Sequence, residues 1–227
     1  MGYTLITANR NYSSWSLRAW LLMKALDIPF EERFEQFSKP DNYDEFRLFS
    51  PSGQVPVLIH GDRILWDSLG IALYLAERHP GVWPADEAAR AWAQCATAEM
   101  HGGFGAVRND CPMNVGVRVT PRPASPALTR QVARLGALWA EGLERFGGPW
   151  LAGADFSAVD AFYAPVAFRV RSYGLDVGNE GARWVERILD HPAMLEWERV
   201  ALSETWREAE HEADLLATGT VIADFRA

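Results

Sequence analysis

The 227 residues, 48% of them hydrophobic, suffice to bury a core as one large domain or as two small ones. Thirty acidic against 22 basic side chains give a formal charge of −8, and no basic run with interleaved aromatics opposes it, so nucleic acid is excluded as a default partner. The two cysteines, Cys95 and Cys111, are too few for a disulfide framework and lie in no Cys-x-x-Cys or metal-ligand cluster, so neither a protein dithiol nor a metal centre is expected.

The start, Met1-Gly2-Tyr3-Thr4-Leu5-Ile6, lacks the cationic opening and apolar stretch of a signal peptide, and no segment approaches about 18 uninterrupted apolar residues. A cytoplasmic protein without a membrane partner is the expectation. Residues 3–8 read as a short strand, ended by a polar loop over residues 9–12. Leu17, Leu21, Leu22, Ala25 and Leu26 then share one face of a helix that Ser13 or Ser14 can cap, and Asp27-Ile28-Pro29 stops it. Residues 29–34 form a second strand. From residue 35 to 52 the chain is polar, with one short helix near residues 43–49, and its length suggests a functional loop. Residues 55–59 and 63–66 flank His60-Gly61-Asp62 as a hairpin, and Asp67-Ser68 starts a helix that ends at His79-Pro80-Gly81.

This β-α-β-α-β-β-α order makes residues 1–81 a complete small α/β unit. After a linker over residues 81–85, residues 86–227 read as an all-helical second domain. Its first helix, residues 86–109, is weakened near its end by Gly102, Gly103 and Gly105, and Pro112, Pro121 and Pro123, with Pro126 just beyond, make residues 111–125 a loop. Further helices contain Leu128 to Phe146, Val159 to Val170, Trp184 to Leu189 and Met194 to Ala201; Ser157 and Asp160 form a capping box for the second of these, which Pro165 should kink. Trp20, Trp92, Trp139, Trp184 and Trp197, half of the ten tryptophans, fall in helical patterns and read as packing residues. The tail after His211 is weakly patterned.

Four segments in order, Ser13-Ser14-Trp15-Ser16-Leu17-Arg18, Ser52-Gly53-Gln54-Val55-Pro56-Val57-Leu58, residues 67–75 beginning Asp67-Ser68-Leu69-Gly70, and Ser157-Ala158-Val159-Asp160-Ala161, resemble the cytosolic glutathione S-transferase family over nearly the whole chain. The resemblance implies a thioredoxin-like N-terminal domain, an all-α C-terminal domain and glutathione as ligand. The Ser-Ser-x-Ser opening is most similar to the serine-type classes, zeta in particular, although Trp15 stands where zeta proteins usually carry Cys.

Each motif has a physical counterpart. A serine hydroxyl at a helix start can donate to a sulfur anion that the helix N-terminus also favours; the family's catalytic serine maps to Ser13 by its spacing from Arg18, and Ser14 fits the alternative spacing. Val55-Pro56 resembles the family's cis-proline, leaving the Val55 backbone to pair with a ligand backbone, with Gln54 beside it. Ser68 and the first-turn amides can hold a carboxylate while Asp67 faces an ammonium, matching the γ-glutamyl end of glutathione. The resemblance places Lys39 near the glycyl carboxylate and gives Asp160 a structural role. A second substrate is expected in the interdomain cleft, walled by Trp15, Met100, His101, Phe104 and Arg108, a set suited to a planar electrophile bearing an acid group.

The leading expectation is therefore transfer of the glutathione thiolate to a small electrophile. The alternatives are glutathione-dependent cis-trans isomerisation of a maleyl-type diacid, and a non-catalytic member that binds glutathione or a protein. The family is usually dimeric, so a homodimer is expected, joining residues 63–78 of one copy to residues 92–100 of the other.

Overall fold

The computed structural model describes residues 2–38 and 41–227. The first half contains β1 (Tyr3–Thr7), α1 (Ser14–Ala25), β2 (Phe30–Phe34), α2 (Tyr43–Phe46), β3 (Val57–His60), β4 (Arg63–Trp66) and α3 (Ser68–Ala76). The strands form one sheet in the order β2-β1-β3-β4, with β1 parallel to β2 and antiparallel to β3. This is the thioredoxin-like arrangement that the element order predicts. Interior β1 buries Leu5 and Ile6 completely, opposite Leu58 and Val57 of β3. Edge strand β2 instead exposes Glu31, Glu32 and Arg33, charges that discourage pairing with another chain.

Sequence periodicity assigns α1 one apolar face, yet the helix is buried almost all round, including Ser16 and Arg18. The cause is tertiary. α1 packs against α3 (Ser68–Ala76) on one side and against α7 (Ala158–Tyr173) and α9 (Pro192–Ser203) of the second half on the other. Trp20 meets Trp197 edge-on at 5.2 Å in that junction.

The second half is helical as expected: α4 (Glu87–Gly102), α5 (Gly105–Asp110), α6 (Pro126–Phe146), α7, α8 (Gly178–Leu189), α9 and α10 (Ala209–Thr218). The helix predicted over residues 86–109 is two helices. The Gly103 N–H closes the last turn on Glu99 O at 2.8 Å, where a Cβ would lie 2.6 Å from that oxygen, and Phe104 follows with φ +56°. One small ribbon departs from the expected loop and tail: β5 (Val117–Pro121) pairs antiparallel with β6 (Gly219–Asp224). Val117 and Val119 alternate inward, but their partner lies about a hundred residues later, beyond the reach of local patterning.

Asp160 lies wholly buried at the start of α7 and joins three segments. Its carboxylate accepts from Leu151 N–H at 3.0 Å, Ser157 N–H at 3.1 Å and Trp184 Nε1–H at 3.0 Å. Burial pushes its carboxyl up to about 6 against the pull of those donors. The structural role expected of it therefore rests on three satisfied buried donors. Asp160→Ala should lower unfolding stability by on the order of 3 kcal/mol or more, since each orphaned buried donor costs roughly 1–3 kcal/mol, as read by urea denaturation.

Candidate functional site

The start of α1 is presented by a compact turn. Tyr12 and Ser13 N–H both donate to Asn9 O, at 3.1 and 2.8 Å, and Leu17 N–H donates to Ser13 O at 3.1 Å, which opens the helix. The Trp15 and Ser16 amides therefore lie in a first turn with no intrahelical acceptor. The Ser13 hydroxyl donates to Ser16 Oγ at 2.7 Å, and Ser16 Oγ accepts from Ala8 N–H at 3.3 Å. The Ser14 hydroxyl has no hydrogen-bond partner among the described residues.

The preceding loop, polar in sequence, is buried. Arg10 and Asn11 N–H donate to the Glu204 carboxylate at 2.6 and 3.2 Å, Asn11 Nδ2 to Ala201 O at 2.6 Å, and Gly116 N–H to Asn11 Oδ1 at 3.2 Å. The helical half thus fixes where the serines point.

Opposite the serines, Ser50 Oγ donates to Gln54 O at 2.7 Å, and the Val55–Pro56 bond that follows is cis, as the resemblance implied. Strand β4 then delivers Asp67 with φ +69°, and one carboxylate oxygen accepts from Leu69 and Gly70 N–H at 2.8 and 3.4 Å. The other oxygen lies 3.5 Å from His101 Nε2. Ser68 is completely buried, and its Oγ has no hydrogen-bond partner among the described residues. A buried hydroxyl left open at a helix start fits an incoming carboxylate.

These elements enclose a cleft of about 880 Å³. Of the residues singled out in the sequence, it brings together Ser13, Ser14, Trp15, Gln54, Val55, Pro56, Asp67, Ser68 and Arg108. His101 stands behind that wall, T-shaped to Trp15 at 5.0 Å and beside Asp67, while Met100 and Phe104 are buried in the core. Lys39 lies outside the described residues. Among the described residues no group of three or more His, Cys, Asp or Glu side chains gathers as a metal site, and no helix is long and apolar enough to cross a membrane.

Sequence reasoning missed Arg169, Tyr12, Phe37, Glu208 and His211 on the cleft wall. Arg169 carried a signal: it stands three residues after Val166 and seven after Phe162, on the apolar stripe of its helix, where a charge is out of place. The aromatic wall carried none, because Tyr12 stacks on His211 at 4.8 Å and Phe37 on His211 at 5.4 Å across long separations.

Three guanidinium groups lie at the interdomain side of the cleft. Arg18 is 1% exposed, with its charge over Trp15 at 4.3 Å and Phe162 at 5.1 Å, and neither Nε nor Nη1 finds a hydrogen bond among the described residues. Arg169 donates Nε–H to Cys111 O at 2.8 Å and Nη1–H to Pro165 O at 3.1 Å; Arg108 donates only to Met100 O at 3.2 Å. Burial pushes the Arg18 pKa down to about 9, with Arg169 and Arg108 adding repulsion, and burial likewise holds Arg169 at about 10. Both remain cations at neutral pH.

A thioredoxin-like domain joined to a helical domain, with a ligand-sized cleft where they meet, defines a two-domain class in which the α/β half presents helix starts to a small molecule. The glutathione S-transferase N-terminal domain family matches residues 12–78 and the C-terminal domain family residues 122–199. Glutathione S-transferase 1 of Dianthus caryophyllus is 39% identical over 67 residues, a match that spans 30% of each chain. A zeta-class glutathione S-transferase of Euphorbia esula is 27% identical over 163 residues, 69% of this chain and 70% of that one. A glutathione transferase homologue from Burkholderia, solved with bound glutathione, superposes with a TM-score of 0.67 at 22% identity, over 88% of this chain and 98% of that one. The chain belongs to the glutathione S-transferase superfamily.

His101 makes the cleft acid-sensitive. Burial lowers its pKa below 6.5, Arg18 and Arg108 lower it further, and Asp67 opposes them. Between the lowered folded value and 6.5 the unfolded chain binds the proton more readily, so stability falls as pH drops through that window. His101→Gln should flatten this loss, measured as a smaller difference between urea midpoints near about pH 5 and about pH 7.5.

Proposed function

We propose that the protein is a glutathione transferase that adds the glutathione thiolate to an electrophilic carbon of a small molecule. The observation that carries this reading is the convergence of three features on one cleft: the start of α1 with Ser13 and Ser14, the Val55 backbone and the buried open hydroxyl of Ser68. The family's glutathione-bound relative supports the same ligand. Asp67 receives the γ-glutamyl ammonium, Ser68 its carboxylate, and Val55 pairs with the peptide backbone beside Gln54. Lys39 is proposed for the glycyl carboxylate. Addition to a conjugated double bond forms the C–S bond, the π pair moves to the neighbouring carbon, and that carbon takes a proton from water.

The serine-type assignment belongs to this proposal, supported by the Ser-Ser-x-Ser opening and the zeta-class relative. Ser13 is the donor to the sulfur. Ser16 Oγ already accepts the Ala8 amide, so its own proton is free to turn to Ser13 when the Ser13 proton turns to sulfur, and hydroxyls in series polarise one another. Ser14, whose hydroxyl is open, is the competing donor. A homodimer is also proposed: Ile64, Trp66 and Leu73 expose apolar surface on β4 and α3, 45%, 48% and 51% open to solvent in one chain. Light scattering at micromolar concentration should give twice the mass of 25.4 kDa, and a monomer throughout would remove this part of the proposal.

Mass spectrometry of reactions with aromatic halides, enones and maleyl diacids tests the activity. A stable thioether identifies the transferase; turnover of a maleyl diacid without net glutathione consumption identifies the isomerase; neither, with glutathione still bound, identifies a binding protein. A thiol starts near about 8.5, and a charge-assisted hydrogen bond of roughly 1.5–3 kcal/mol lowers it by about 1–2 units. Ser13→Ala should therefore raise the thiol pKa of bound glutathione by about 1–2 units, read as thiolate absorbance, with Ser14→Ala leaving it in place. The reverse result would transfer the role to Ser14.

A further inference from the structure

The three arginines at the domain junction pose an electrostatic question that thiolate chemistry leaves open. None of Arg18, Arg108 and Arg169 has an ion-pair partner among the described residues. Elsewhere this chain pairs its buried cations: Arg10 is bound to Glu32 at 2.6 Å, and Arg226 reaches Glu212 and Asp224. Of the carboxylates on the cleft wall, Asp41, Asp67, Glu208 and Asp214, Asp67 alone favours the charge of Arg18, with Tyr163 adding a smaller pull, and none of them favours that of Arg108 or Arg169. Clustered cations that repel one another in a low-dielectric setting are costly, and an anion that arrives with its own hydrogen-bond acceptors offsets that cost.

Two of the three reach the cleft. Arg169, though only 4% exposed, lines it, with Nε and Nη1 held by Cys111 O and Pro165 O so that Nη2 remains without a partner among the described residues. Arg108 lines it too and commits a single N–H to the protein. Arg18 lies beneath them against Trp15, unable to move its charge into water. Arg108 keeps Nε and Nη2 to offer and Arg169 keeps Nη2, so a carboxylate, with two acceptor oxygens, can take N–H bonds from both over the buried third charge.

We infer that Arg108 and Arg169, backed by Arg18, form a subsite for a carboxylate carried by the second substrate. The inference rests on the transferase reading above and narrows its substrates to electrophiles with an ionised acid group within reach of the reacting carbon. Trp15, between the serines and the arginines on the cleft wall, gives the conjugated part of such a molecule an aromatic surface. The carboxylate is a handle that takes no part in bond making, so it tightens both the substrate and the thioether product.

Product analogues test this without requiring turnover. Calorimetry on the full chain compares glutathione, S-(3-carboxypropyl)glutathione and the primary amide of that analogue, which keeps the shape and removes the charge. In the parent protein the carboxylate analogue should bind roughly ten- to a hundredfold more tightly than the amide. Arg169→Gln and Arg108→Gln should each shrink that ratio at least about fivefold, with the loss falling on the carboxylate analogue, and Arg169→Lys should restore part of it. Should Arg169→Gln fail to fold by circular dichroism, the parent ratio and the half-exposed Arg108 variant decide. Equal affinities of the two analogues in the parent, with glutathione bound normally, would overturn the subsite and leave the transferase reading standing. A loss in the arginine variants shared equally by glutathione and both analogues would also overturn it, by assigning the cations to glutathione's own carboxylates. Failure of the parent to bind glutathione would remove the transferase reading and the subsite with it.

Discussion

Asn11 joins parts of the chain that sequence separates widely: its side-chain Nδ2 donates to Ala201 O near the end of α9, and its side-chain Oδ1 accepts from Gly116 N–H ahead of the β5–β6 ribbon. Together with the Glu204 carboxylate on the Arg10 and Asn11 amides, this fastens the turn from β1 to α1 to the helical half. All the site's geometry is referred to that turn. The serines, the open first-turn amides and Trp15 occupy the residues immediately after it, so an error of one register here would redirect each of them. Backbone polar groups in a buried loop need partners, and a second domain supplies them where water cannot.

The same junction treats two arginines in opposite ways. Arg10 lies between Trp20 and Trp197, at 4.8 and 4.7 Å from their rings, and forms an ion pair with Glu32. It is a compensated charge and behaves as packing. Arg18, two turns of chain further on, has aromatic faces and no ion-pair partner among the described residues. The difference separates a residue that locks the halves together from one that leaves positive potential near the cleft, where it adds to the field of the α1 N-terminus.

Closure of the far wall depends on the last fifty residues. Tyr12 donates to Glu212 at 2.7 Å, Asn114 donates to the same oxygen at 3.2 Å, and Arg226 of the segment after β6 pairs with Glu212 as well. His211 from the same helix stacks between Tyr12 and Phe37, so α10 borders the thioredoxin-like loop directly. The ribbon pins this helix in place, which gives the weakly patterned tail its order: its polar residues find partners on other elements, and its own apolar periodicity is too sparse to specify a position.

By itself the sequence determined the order of elements in the first half, the hairpin around Gly61, the helix starts at Ser13 and Asp67, and the capping role of Asp160, because each rests on local periodicity, turn chemistry or end-capping within a few residues. The family pattern added the cis Val55–Pro56 bond and the ligand class. The break between α4 and α5 was half legible, since three glycines marked a weakened helix but left open where it would stop. The tertiary structure alone decided the burial of the residues 9–12 loop, the β5–β6 pairing, the aromatic wall and the gathering of Arg18, Arg108 and Arg169 at one place. Those features depend on which surfaces the two halves turn toward each other, and residues about a hundred positions apart leave no joint periodicity in a single sequence.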